Sequence, residues 1–238
     1  MRVYYLDHSG FAVELQDRLL IFDYFNFKPD NGGFAEGVVP AGRLREYKEV
    51  YFFASHAHAD HFKKGIFSMA GENVKYILSS DIRTPEDLEH VSLDKGDRYT
   101  DDFLSVYAGG STDIGVSFVI EAAGKKIFHA GDLNCWHWTT EWSDAEEQAA
   151  RDAYHAELDD LAEYLQRIDL AFLPVDSRMK GIYDEGARTF ASRFCPKHII
   201  PMHCWGDYPI TARFAGDMAK QGIKAFSYTQ RGAEFVIE

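Results

Sequence analysis

The segment His56-Ala-His58-Ala-Asp60-His61 sets four metal-seeking side chains within six residues, directly after the apolar run Glu49-Val50-Tyr51-Phe52-Phe53-Ala54. That run is apolar on both alternating sets, so it reads as a strand covered on both faces. A strand ending in clustered imidazoles and a carboxylate must give those groups partners, and a divalent cation supplies them. In extended chain His56 and His58 point the same way, whereas the adjacent Asp60 and His61 diverge, which suits two cation sites side by side. The competing reading is a polar turn in which Asp60 caps the next helix and the histidines are hydrated. With ten histidines in the whole chain, their density here favours metal.

Two later segments end in the same manner. Phe128-His129-Ala130-Gly131-Asp132 runs from a strand through small residues to a carboxylate that could bridge two cations, and Ile199-Ile200-Pro201-Met202-His203 is a strand ending in a histidine. Alone, Asp132 would read as a turn former and His203 as a hydrogen-bonded interior histidine. His129 is expected to point into the sheet interior.

Around these segments the first half reads as strands at 3–6, 11–15, 19–23, 49–54, 74–78, 103–107, 115–121 and 125–129, the first three as an antiparallel meander. A Gly-rich loop spans 31–42, and Ala122-Ala123-Gly124 forms a hairpin turn. Residues 143–167 follow a helical period with Ser143 as N-cap. Strands at 170–175 and 198–202 then alternate with helices at 185–194 and 210–221, and strands at 225–228 and 234–237 close the chain. No repeat or linker interrupts residues 1–238, so the expectation is one α+β domain with two sheets packed together and helices outside.

A formal net charge of -13 and the lack of a Lys/Arg-rich run argue against nucleic acid as a partner. No apolar stretch has the length of a signal peptide or a membrane span. Three cysteines without a CxxC pair argue against a disulfide framework, and a cytoplasmic setting is the default expectation.

The ordered set HxHxDH, then Gly-Asp after a strand, then a strand-terminal His resembles the metallo-β-lactamase superfamily along nearly the whole chain. In size and charge it is closer to bacterial lactonases of that superfamily than to its tRNA-processing nucleases. The resemblance implies a four-layer αββα sandwich with a one- or two-metal centre. It implies His56 and His58 on the first metal, Asp60, His61 and His203 on the second, and Asp132 bridging. One ligand departs from the pattern: where many members carry a histidine in PGHTxG, this chain has Gly109-Gly110-Ser111-Thr112-Asp113, with Ser111 in the histidine's place. A serine hydroxyl is a poor zinc ligand, so Asp113, His137 or water would complete that site. His8 and Asp23 occupy loops that lie near the metals in many members, where a carboxylate fixes a histidine tautomer.

The implied activity is hydrolysis of a small ester, lactone or phosphate-containing substrate by metal-activated water, with Asp60 orienting that water or carrying its proton. Zinc is the first expectation from the nitrogen-rich set, with manganese or iron as alternatives. Trp136 and Trp138 are candidate pocket walls, and Arg178 and Tyr183 candidate substrate contacts, each set against plain packing or a surface ion pair. Three rival functions are a small-nucleotide phosphodiesterase, which needs a base-stacking surface, a redox di-iron protein of the same fold, for whose usual flavin-binding partner domain 238 residues leave no room, and a metal-binding protein without catalysis.

Overall fold

The computed structural model describes residues 1–137 and 142–238. The chain forms two compact units, one of Met1–Asp94 with Thr229–Glu238 and one of Lys95–Tyr228. Among the described residues no helix is long and apolar enough to cross a membrane.

The first unit is built on a seven-stranded sheet. Its strands are β1 (Arg2–Asp7), β2 (Gly10–Leu15), β3 (Arg18–Phe22), β4 (Glu49–Ala54), β5 (Val74–Ser79), β6 (Val91–Leu93) and β13 (Glu234–Val236), in the order β13-β1-β2-β3-β4-β5-β6. The meander β1–β2–β3 is antiparallel, and β3 to β6 then run parallel. The parallel half demands long crossovers, which here carry short 3-10 turns at Phe34–Glu36, Ala41–Glu46 and Lys64–Met69. Their Phe34, Leu44 and Ile66 bury against Leu19, Ile21, Phe52 and Tyr76 of the sheet. Phe22 and Phe53, which point to the other face, stack at 4.9 Å, and every residue from Val50 to Ala54 is buried, as its two-sided apolar sequence requires.

The second unit holds a six-stranded sheet of β7 (Arg98–Thr100), β8 (Leu104–Gly109), β9 (Ser117–Ala122), β10 (Lys125–His129), β11 (Leu170–Pro174) and β12 (Ile199–Met202), in the order β12-β11-β10-β9-β8-β7. The β9–β10 hairpin closes through Ala123 and Gly124, both at positive φ. Three helices follow the hairpin: α1 (Asp144–Leu161), α2 (Glu185–Phe194) and α3 (Tyr208–Ala219). Ser143 caps α1 through a capping box with Glu146.

Several expected boundaries move. The helical period from 143 to 167 stops at Leu161 as a helix and continues as irregular turns to Arg167, whose φ is 58°, although Leu165 stays buried. Residues 225–228 are not a strand; Ala225 makes a single bridge to Ile199. Helix α3 starts earlier than expected, at Tyr208, because Pro209 is accommodated in the first turn. The three-residue strands β6 and β7 are too short to leave a period-two signal in sequence.

Candidate metal centre

In the first unit β1, β3 and β4 run in the same direction, and the loops after their C-terminal ends carry His8, Asp23 and the histidine motif. Gly10 makes the β1–β2 turn possible, since a Cβ there would lie 2.9 Å from the carbonyls of Asp7 and Asp23. Asp23 is fully buried and organises the site. Its carboxylate accepts from the Ser55 amide at 2.8 Å, the Ser55 hydroxyl at 2.7 Å and His61 Nδ1 at 2.7 Å. Because Ser55 Oγ donates to Asp23, it accepts from His56 Nδ1, 2.9 Å away. Both imidazoles therefore carry their proton on Nδ1 and keep the lone pair on Nε2, the form a cation binds.

The motif itself is folded as a turn, with the amides of His61 and Phe62 donating to His58 O, and Asp81 accepting from Ala57 N at 2.9 Å. The His56 ring lies 4.6 Å from His58 and 4.2 Å from His61. Asp60 does not cap the following 3-10 turn, whose cap is Lys63. Its carboxylate faces His8 Nε2 at 3.4 Å, and the ligand atoms of His8, Asp60 and His61 lie within 4.8 Å of one another. The hydrogen bond from His8 is the main reason the Asp60 carboxyl is held well below the usual carboxylate range, with burial opposing it. His8 thus stands among the candidate ligands' own neighbours.

In the second unit β8, β10, β11 and β12 share one direction, and their C-terminal ends deliver Ser111 to Asp113, Asp132, Asp176 and His203. His203 Nε2 is 3.4 Å from Asp132 Oδ1, and its Nδ1 donates to Asp176 Oδ2 at 3.0 Å. Asp176 is fully buried; burial pushes its carboxyl up, but hydrogen bonds from His203 and Arg178 outweigh that and bring it down to about 2. Asp176 has the same relation to His203 as Asp23 has to His61. Nothing in its own sequence neighbourhood announces this role, because its partner is 27 residues away.

Ser111 is an intermediate-exposure residue whose hydroxyl accepts from the Asp113 amide at 3.2 Å. That turn brings the Asp113 and Asp132 ligand atoms within 4.8 Å of each other. His137, the other candidate to stand in for the missing histidine, is turned instead to Glu185, with Nε2 3.1 Å from Oε2.

The pocket candidates separate. Trp136 is half-buried, donates from Nε1 to Asp132 O at 2.8 Å and packs 5.2 Å from the His203 ring. Arg178 forks onto Asp176, with Nε at 2.9 and 3.0 Å from its oxygens, and lies 4.5 Å over the Trp205 ring. The ion pair with a neighbouring acid, the alternative set beside a substrate contact, does form; its partner Asp176 is buried and also orients His203. Tyr183 is buried under Arg213, 4.7 Å from its ring, with its hydroxyl 3.4 Å from Asp217, so it serves α3 packing. Trp138 lies outside the described residues. Trp205, half exposed beside His203 and Arg178, had no motif to single it out. His129 is fully buried, as expected, 5.6 Å from the Phe172 ring.

Strain marks the same loops. His8, Asp23, His203 and Trp205 all have positive φ, between 42° and 64°. Non-glycine residues held there cost on the order of 1–3 kcal/mol each and persist where surrounding structure fixes them.

No protein-family model and no curated protein matches this chain. Solved structures do. Igni18, a metallo hydrolase from Ignicoccus hospitalis, is 19% identical with a TM-score of 0.68, covering 100% of this chain and 99% of that one. The metallo-β-lactamase fold protein YhfI from Bacillus subtilis is 12% identical at a TM-score of 0.61, over 98% of both chains. CmlA from Streptomyces venezuelae, a diiron β-hydroxylase, is 12% identical at 0.64 over 99% of this chain, which spans 54% of that longer one. The chain has the metallo-β-lactamase fold.

Proposed function

We propose that this chain is a metal-dependent hydrolase in which His56, His58, Asp60, His61, Asp132 and His203 hold one or two divalent cations. The observation that carries the reading is the tautomer control: Ser55, Asp23 and Asp176 each take the Nδ1 proton of a candidate ligand, leaving Nε2 of His56, His61 and His203 as the donor. Such buried imidazoles, together with anionic Asp60 and Asp132, fit a first-row cation in the chemistry of the donor set. The fold shared with Igni18 supports the same reading.

A cation bound there supplies Lewis acidity, acidifying water and polarising a scissile carbonyl or phosphoryl group. The residues do the rest. Asp60, strongly acidic through His8, stays ionised and accepts hydrogen bonds, which suits orienting water better than storing a proton. Asp132 would supply a carboxylate to the cation, and Trp136 and Trp205 present apolar surface beside His203. We assign Asp113, converging on Asp132, to the place of the absent histidine. That extra carboxylate widens the choice of metal from zinc towards manganese or iron.

The substrate class proposed is a small ester, lactone or phosphate-containing molecule. Purified protein should contain a first-row metal by elemental analysis and turn over part of a panel of lactones, carboxylate esters and phosphodiesters. Asp132→Asn should lower turnover at least ~100-fold in metal-replete protein, since the amide keeps volume and removes charge. Metal-replete wild type inert across the panel would favour the non-catalytic metal-binding reading, and turnover confined to phosphodiesters would favour the nucleotide one.

A further inference from the structure

Cys135, His137 and Glu185 form a second ligand cluster inside the Lys95–Tyr228 unit, built from none of the residues assigned to the hydrolytic centre. The loop after β10 supplies Cys135 and His137, and the first turn of α2 supplies Glu185. Their ligand atoms all lie within 4.8 Å of one another. Cys135 Sγ is 4.0 Å and His137 Nε2 3.1 Å from the two oxygens of Glu185. With bonds of about 2.3 Å to sulfur and about 2.0 Å to nitrogen or oxygen, tetrahedral zinc ligands sit roughly 3.3–3.6 Å apart. His137 and Glu185 are already close to that spacing, and Cys135 has to draw in from 4.0 Å.

Three features make this more than a packed polar corner. His137 is fully buried, and its Nδ1 makes no hydrogen bond among the described residues; the nearest carboxylate, Glu147 Oε2, is 3.6 Å away. With Nε2 on a cation, Nδ1–H would point to Glu147 in the carboxylate–histidine–metal arrangement. Gly186 holds α2 against the loop: a Cβ there would lie 2.0 Å from Asn134 Oδ1 and 2.9 Å from Cys135 N. Charge also balances. Ionised Cys135, Glu147 and Glu185 face Arg151, whose Nε donates to Glu185 Oε1 at 2.7 Å, so a dication and a neutral His137 bring the group to zero.

We propose that Cys135, His137 and Glu185 bind a zinc ion, with water as its fourth ligand and Glu147 behind His137. The thiolate is the form that ligates zinc, so binding forms a Zn–S bond and releases the Cys135 thiol proton to solvent. The proposal stands apart from the hydrolytic reading, whose candidate ligands contain no sulfur.

X-ray absorption on zinc-loaded wild-type protein should show a sulfur path near ~2.3 Å. Cobalt-loaded wild type should likewise show a thiolate-to-cobalt charge-transfer band in the near ultraviolet, lost in Cys135→Ser together with one equivalent of bound metal per chain. A zinc-saturated wild type with only nitrogen and oxygen neighbours would overturn the proposal without recourse to any variant. So would a band that survives in Cys135→Ser, which would place the thiolate at Cys195 or Cys204.

Discussion

Two buried carboxylates, Asp23 and Asp176, decide how the candidate ligands present themselves, although neither belongs to the histidine motif. Such partners typically tune metal affinity by about 10–100-fold, so Asp176→Asn should weaken binding by that factor in a competitive chelator titration. The same carboxyl links stability to acid. Its folded value of about 2 lies below the ordinary 3.8, so its contribution is present above 3.8 and is lost as pH falls from there towards 2. Acid unfolding of the metal-free wild type should accordingly fall away more steeply below pH ~4 than that of Asp176→Asn. At the departure from the family pattern, Asp113→Ala should reduce metal stoichiometry or affinity more than Ser111→Ala. Equal losses in the two variants, or none in Asp113→Ala, would remove Asp113 from the ligand set.

At the scale of elements, chain ends and glycines set the positions from which those residues work. Gly186 opens α2 where the loop carrying Asn134 and Cys135 presses on it, and Tyr154 of α1 donates to its carbonyl at 2.9 Å. Gly186→Ala forces that loop or the helix to shift, a change that costs about 1–3 kcal/mol when neighbours are close-packed. Chemical denaturation should show the loss as a lower midpoint. In the other unit Arg231, in the segment leading to β13, donates to the carbonyls of Leu6, Asn26, Lys28 and Gly37. It fastens the returning C-terminal segment to β1 and to the loop after β3. Arg231→Ala leaves those acceptors to other partners and should destabilise the chain by about 2–4 kcal/mol, read by the same denaturation. A shift under ~0.5 kcal/mol would mean that water replaces the guanidinium at little cost.

For the molecule as a whole, what could be read from sequence was what is local. The two-sided apolar run at 49–54, the N-cap at Ser143 and the strand-terminal placement of His56, Asp132 and His203 each depend on neighbouring residues and on periods of two or 3.6, so the sequence alone determined them. The α+β composition and the two sheets follow from the same signals. The tertiary structure decided what depends on residues far apart in the chain. It assigned Asp176 to His203, turned His137 away to Glu185, paired Arg178 with the buried Asp176 and buried Tyr183 against α3. It also ended α1 at Leu161 and left 225–228 with one bridge. A carboxylate's role is fixed by which donor the fold brings within 3 Å or so, and no short-range pattern encodes a partner tens of residues distant.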